Sequence, residues 1–325
     1  MAPNPLVGCV IVHDGQVIAE GFHEAFGGPH AEVNAIASVQ DESLLSASTL
    51  YVNLEPCAHH GKTPPCADLI ISKKIPRVVI GVEDPYAEIA GRGILKLREA
   101  GVKVVVNVSR EECEFANRRF FTQILKQRPY IILKWAQTKD GFMDRIRNDG
   151  ENGINWITGP ASKRLVHNWR SKEAAILIGK NTALNDDPNL TVREVPGRNP
   201  IRILLDRKLE VPRTSNLYNR EARTIVFCDA PHEPVDSVEF VSIDFERSVP
   251  EQIMFHLNAL RIQSVMIEGG PTTLKHFLKL DLWDEARVFT GDTIFGAGIA
   301  APVLEIPYAS QAAAGKDLIS FYNNR

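Results

Sequence analysis

Four residues, far apart in the chain but chemically matched, constrain this sequence more than anything else in it. They are His30 and Glu32 in Pro29-His30-Ala31-Glu32, and Cys57 and Cys66 at the two ends of Cys57-Ala58-His59-His60-Gly61-Lys62-Thr63-Pro64-Pro65-Cys66. One imidazole and two thiolates give zinc three protein ligands and leave the fourth tetrahedral position to a water, the pattern of a catalytic rather than a closed structural site. Glu32 is then free to move protons. Taken singly, each ligand reads as an ordinary core residue; three of them in register with Glu32 and two prolines do not. A structural site would need His59 or His60 as fourth ligand and would leave Glu32 with no chemistry to do.

The pattern around these residues alternates between strand and helix. Apolar β-formers at 7–12 and 16–22, joined by Asp14-Gly15, predict a hairpin. Pro29 predicts the first turn of a helix that carries His30 and Glu32 and runs to residue 37. A strand at 49–54 delivers Glu55-Pro56-Cys57. Helices at 67–74 and 93–100 and strands at 77–82 and 102–106 follow, with both His30 and Cys57 expected where helices start. A polar helix over 109–126 ends before Arg128-Pro129, which places the domain boundary between 127 and 128. The second half alternates again, with strands at 130–136, 174–179, 201–206, 224–228 and 264–268 and helices at 160–171, 250–261 and 271–280. The stretches 212–219 and 231–234 read as surface loops. Both halves are of the α/β class.

The charge balance, 37 Lys+Arg against 40 Asp+Glu, offers no electrostatic footprint for nucleic acid or an anionic membrane. No apolar run reaches the roughly 20 residues of a membrane span, and no basic-then-apolar leader opens the chain. A small-molecule substrate and a cytoplasmic location are therefore expected. Cysteines at 9, 57, 66, 113 and 228 form no even disulfide framework; Cys9, Cys113 and Cys228 read as core or near-surface residues without a role. Beyond 128 the sequence lacks the dinucleotide fingerprint G-x-G-x-x-G. It has instead a strand followed by Gly269-Gly270-Pro271-Thr272-Thr273, which suits the close approach of a phosphate to a helix N-terminus and equally any strand-to-helix turn.

H-x-E followed by P-C-x-x-C is the signature of zinc deaminases, in which an activated water attacks an amidine carbon. Here the second cysteine comes later. With that longer gap, Asn4-Pro5-Leu6-Val7-Gly8, Asp84-Pro85 and Ala90-Gly91-Arg92-Gly93, the first half resembles the deaminase half of the bifunctional riboflavin-biosynthesis deaminase/reductases. Trp156-Ile157-Thr158, Arg170, Gly179-Lys180-Asn181-Thr182 and the run from Asn185 to Arg193 resemble the reductase half.

The resemblance implies an N-terminal cytidine-deaminase-like three-layer domain over 1–127 and a C-terminal dihydrofolate-reductase-like α/β domain over 128–325. It implies Zn2+ held by His30, Cys57 and Cys66, with Glu32 as catalytic acid and base. It also implies substrate contacts from Asn4, His59, His60, Lys62 and Thr63. In the second domain, Ala136, Trp156, Thr182, Asp186 and the run Gly270, Pro271, Thr272, Thr273, Leu274, Lys275 and His276 are expected to contact NADPH. Arg170, Leu190, Arg193 and Glu268 are expected on the substrate, where two guanidinium groups suit a ribose phosphate. The implied reactions are hydrolytic deamination of 2,5-diamino-6-(5-phosphoribosylamino)pyrimidin-4(3H)-one and NADPH-dependent reduction of the ribosyl side chain of 5-amino-6-(5-phosphoribosylamino)uracil to ribityl. A homo-oligomer is expected, with no nucleic-acid or membrane partner. Family members carry a further helix ahead of the Asn-Pro motif, which is expected to be absent here, and the charged 144–153 loop leaves Ile154 without an assigned role. Two rivals are a second domain that only binds or scaffolds, and a deaminase that acts on RNA.

Overall fold

The computed structural model describes the chain except residues 1–3, 26, 59–63, 149–151 and 325. It divides into two compact units, Met1–Gln127 and Arg128–Arg325.

In the first unit, β1 (Gly8–His13) and β2 (Gln16–Phe22) form the hairpin that Asp14-Gly15 foretells. Both turn residues have positive φ, 48° and 75°, the conformation a two-residue turn needs to match strand twist. After α1 (Ala31–Ala37) come β3 (Thr49–Leu54), α2 (Cys66–Ser72), β4 (Arg77–Val82), α3 (Arg92–Glu99) and β5 (Lys103–Val105). The sheet order is β2-β1-β3-β4-β5, antiparallel at the hairpin end and parallel from β3 to β5. Val78, Val79 and Ile80 are buried in succession on β4, as a parallel strand covered on both faces requires. The single helix expected over 109–126 is broken into α4 (Arg110–Ala116) and α5 (Arg118–Lys126). The break falls at Asn117 (φ −102°, ψ 15°), whose buried side chain accepts from the Leu6 N–H at 2.7 Å and donates to the Leu6 carbonyl at 3.0 Å. That pair docks the N-terminal segment carrying Asn4.

The second unit opens with β6 (Tyr130–Gln137), β7 (Phe142–Asp144), α6 (Pro160–Lys172), β8 (Ala175–Gly179) and α7 (Lys180–Asp186). It continues with β9 (Ile201–Leu205), β10 (Thr224–Cys228), β11 (Val238–Ser242), α8 (Val249–Ala259), β12 (Ser264–Ile267) and α9 (Pro271–Lys279). It closes with β13 (Glu285–Thr290), β14 (Ile299–Ala300), β15 (Ser310–Ala314) and β16 (Asp317–Asn323). The large sheet runs β11-β10-β9-β8-β12-β6-β13-β16-β15, parallel as far as β13. The sequence pattern missed β13 because Glu285 and Arg287 interrupt it; the structure buries both and pairs them at 2.6 Å. The stretch 212–219 is not purely surface, since Leu217 is 1% exposed and joins the core.

Candidate active sites

His30 caps α1 from an extended backbone, so its ring leaves the helix axis while Glu32 sits in the first turn. The helix thus begins at Ala31, two residues later than a start at Pro29. His30 therefore sits where a helix starts, as expected, but Cys57 does not: it follows β3 in a loop, and it is Cys66 that opens α2. The backbone N–H of Cys66 donates to Cys57 Sγ at 3.3 Å, tying the two thiols together.

His30 Nδ1 lies 3.5 Å from Cys57 Sγ and 3.3 Å from Cys66 Sγ. Bonds of about 2.0–2.1 Å and 2.3 Å meeting at a tetrahedral angle separate N and S by about 3.5 Å, so the spacing fits zinc. Among the described residues this is the cluster whose donor atoms could hold a metal. Its charges ask for one. Cys57 is lowered to about 4, first by the hydrogen bond from Cys66 and, against its own burial, by His30. Cys66 is raised, because it donates that bond and is buried. These groups alone settle on one thiolate, and a second requires a cation among them. Glu32 is 3% exposed, and burial pushes its carboxyl up to about 7.

Asn4 reaches the same place through His23. The His23 Nδ1–H donates to the Pro29 carbonyl at 2.8 Å, and its other ring nitrogen, Nε2, faces the Asn4 amide nitrogen at 2.7 Å. That leaves Asn4 Oδ1 for a ligand. His59, His60, Lys62 and Thr63 lie outside the described residues.

The second unit contains a cavity of about 700 Å³. Of the expected cofactor residues, Ala136, Trp156, Thr182, Asp186, Gly270, Pro271, Thr272 and Thr273 line it, as do the expected substrate residues Arg170, Leu190 and Glu268. Four do not. The Leu274 side chain is fully buried in the core, and Lys275 and His276 are exposed on α9 outside the lining. Arg193 is also exposed; its guanidinium donates to Thr191 Oγ1 and its backbone N–H to His167 Nδ1.

Two strand-to-helix turns meet at this cavity. The Gly270 N–H donates to Thr182 Oγ1 at 3.0 Å. A Cβ on Gly269 would come within 2.9 Å of that oxygen, and one on Gly179 within 2.8 Å of Thr273 Oγ1. Glycine is what lets α7 and α9 start this close together. Helix N-termini facing a cavity of cofactor size fit an anionic dinucleotide.

The same cavity is lined by a buried ion cluster that includes Glu268, the residue just before the Gly269-Gly270 turn. Arg170 donates to both Glu268 oxygens, at 2.9 and 2.8 Å, and Lys134 Nζ lies 3.7 Å from the same carboxylate. Burial alone would raise Glu268, but Arg170 and Lys134 overcome it and hold it near 2, at about the lower edge of the carboxylate range. Burial raises Asp186 to about 6 despite Arg147.

Over residues 1–82 the chain matches the model of the cytidine and deoxycytidylate deaminase zinc-binding region, and over 129–310 that of the RibD C-terminal domain. The riboflavin biosynthesis protein RibD of Aquifex aeolicus is 40% identical over 98% of this chain and 92% of its own length. The chain belongs to the RibD family. The Escherichia coli relative is 34% identical over 91% of this chain and 83% of its own length. Among solved structures, the Thermotoga maritima diaminohydroxyphosphoribosylaminopyrimidine deaminase/5-amino-6-(5-phosphoribosylamino)uracil reductase superposes with a TM-score of 0.89. It is 38% identical over 99% of this chain and 92% of that one. Acinetobacter baumannii RibD follows at 0.88 and 31% identity, over 99% and 93%. The family is that of the bifunctional deaminase/reductases of riboflavin biosynthesis, with a zinc-binding deaminase domain and a reductase domain, and the α/β class of both halves is borne out.

Sequence reasoning passed over three residues that line the cavity. Lys134 is a lone cation in the apolar run Tyr130-Ile131-Ile132-Leu133, a buried charge that could have been read as functional. Arg147 is held by its near neighbour Asp144 at 2.9 Å and lies 3.6 Å from Asp186, and the second, long-range contact has no local sequence signal. Ile154, left without a role, also lines the cavity.

Proposed function

We propose that residues 1–127 hydrolytically deaminate 2,5-diamino-6-(5-phosphoribosylamino)pyrimidin-4(3H)-one, and that residues 128–325 reduce the ribosyl side chain of the deaminated product with NADPH. The observation that carries this reading is the zinc-spaced triad of His30, Cys57 and Cys66 with buried Glu32 beside it, in a chain of this family. His30 Nδ1 and the two sulfurs would hold zinc, which when bound makes water acidic enough to deprotonate near neutral pH. Glu32, poised at about 7, takes a proton from water and returns it to the leaving ammonia. Asn4 Oδ1 accepts from the pyrimidine. His59 and His60 are assigned to the pyrimidine or ribose and Lys62 and Thr63 to the phosphate, on the family resemblance.

In the second unit Ala136, Trp156, Thr182, Asp186 and the turn Gly270 to Thr273 orient NADPH, which supplies the hydride. Arg170, Leu190 and Glu268 orient the substrate. Leu274, Lys275 and His276 stay assigned to NADPH and Arg193 to the substrate on the family resemblance, although none of the four lines the cavity. No helix is long and apolar enough to cross a membrane among the described residues. We place the enzyme in the cytoplasm, where thiols stay reduced, as a homo-oligomer of the usual closed kind.

The test is Glu32→Gln. The variant should keep its zinc, release no ammonia, and reduce the deaminated intermediate at the wild-type rate. Loss of zinc would make Glu32 a ligand and overturn its assignment.

A further inference from the structure

Asp84-Pro85 and Ala90-Gly91-Arg92-Gly93 mark the family but hold no ligand atom in the reading above. The structure folds both onto one carboxylate. Glu55 Oε2 accepts from the backbone N–H of Asp84 at 3.2 Å and of Gly91 at 2.9 Å. Its Oε1 accepts from Gly93 at 2.8 Å and Ile94 at 3.2 Å. Glu55 is 7% exposed, and no Lys or Arg pairs with it among the described residues. A buried carboxylate is therefore satisfied entirely by main-chain N–H groups, three of them from the start of α3.

The contact continues toward the metal ligands. Gly93 packs so tightly that a Cβ there would sit 1.9 Å from the Pro56 carbonyl. Pro56 has no N–H of its own with which to anchor this turn. Cys57, the next residue, is held from the other side: its carbonyl accepts from Ala67 at 3.1 Å and its sulfur from Cys66 at 3.3 Å. The segment Glu55-Pro56-Cys57 is thus clamped between α3 and α2.

We propose that Glu55 is a positioning residue for the deaminase reaction, fixing through Pro56 the direction from which the Cys57 thiolate enters the metal site. The proposal rests on the reading of His30, Cys57 and Cys66 as zinc ligands. Groups that orient metal ligands from behind typically change metal affinity 10- to 100-fold, roughly, when replaced. Glutamine has one acceptor oxygen in place of two, and its NH2 would face N–H groups that need an acceptor.

The experiment compares the full-length wild type with Glu55→Gln and Gly93→Ala. The second variant keeps the carboxylate and pushes on the Pro56 carbonyl, its Cβ also coming within 3.2 Å of Glu55 Oε1, so the test does not rest on the Glu55 substitution alone. Each protein is titrated with a zinc chelator, loaded with cobalt(II) for its thiolate-to-metal absorption, and assayed for both reactions. The expected result is about a 10- to 100-fold loss of zinc affinity and a changed cobalt spectrum. Deaminase kcat should fall with KM little altered, while the reductase rate stays at the wild-type value. Wild-type zinc affinity and an unchanged cobalt spectrum in both variants, even with a lower melting temperature, would make Glu55 a loop anchor and overturn the proposal. A wild type that itself binds no zinc would overturn the zinc reading and the proposal with it.

Discussion

Replacing Glu268 by Gln removes the one negative charge shared by Lys134 and Arg170. The side chains of Glu268, Lys134 and Arg170 are 6%, 14% and 12% exposed, so water cannot take over the role. Breaking a buried ion pair by deleting one partner costs about 3–5 kcal/mol, because the remaining charge stays buried and unpaired. In a unit of this size each kcal/mol shifts the midpoint by about 2–4 °C, so Glu268→Gln should lower it by about 6–20 °C. All four tryptophans, Trp135, Trp156, Trp169 and Trp283, lie beyond residue 127. Indole fluorescence therefore reports this unit alone. Adding Lys134→Met should restore part of the loss, since one orphaned cation disappears. The pH dependence has a defined sign. Glu268 is held near 2, below its ordinary 4.5, so its contribution is present above about pH 4.5 and fades as pH falls through 2. The gap between wild type and variant should narrow in that window. A midpoint drop under about 2 °C at pH 7, or a gap that widens toward pH 2, would refute the argument.

Gly270→Val should abolish NADPH binding in a fluorescence titration while ammonia release continues, because Gly270 has φ 20° and a Cβ there would sit 3.4 Å from Thr182 Oγ1; unchanged NADPH affinity would mean that the turn is not the cofactor site. His167 is lowered to about 4, first by its burial and then by Arg170 and Arg193. The unfolded chain therefore takes up a proton that the folded one refuses between pH 6.5 and 4. Stability of the second unit should fall as pH drops across that range, on the order of 2 kcal/mol. His167→Gln should flatten this slope, and an equally steep denaturant-midpoint profile in the variant would count against it.

The deaminase site was legible because its chemistry is local: His30 and Glu32 share a turn, and Cys57 and Cys66 flank one loop. Strands with alternating or continuous apolar runs, such as β3, β4 and β8, were equally plain. Three kinds of feature were not. Charge inside a core strand hides it, as Glu285 and Arg287 do in β13. A side chain that binds a distant backbone has no local sequence signal, as with Asn117, which holds Leu6 at the junction of α4 and α5. Cavity walls assembled from distant parts of the sequence, such as Lys134 beside Glu268 or Arg147 beside Asp186, depend on sheet order that no local pattern encodes. The same limit applies along α9: after Thr273 the side chains of Leu274, Lys275 and His276 turn away from the cavity lining, which the sequence run alone does not reveal.

The most direct test of the whole account is the stoichiometry of one reaction mixture. Purified protein is supplied with zinc, NADPH and 2,5-diamino-6-(5-phosphoribosylamino)pyrimidin-4(3H)-one, and ammonia and NADPH are followed together. One ammonia should be released and one NADPH oxidised per substrate, with ammonia appearing first and the ribityl product accumulating. Complete deamination with no NADPH consumed, or NADPH consumed without ammonia release, would contradict it.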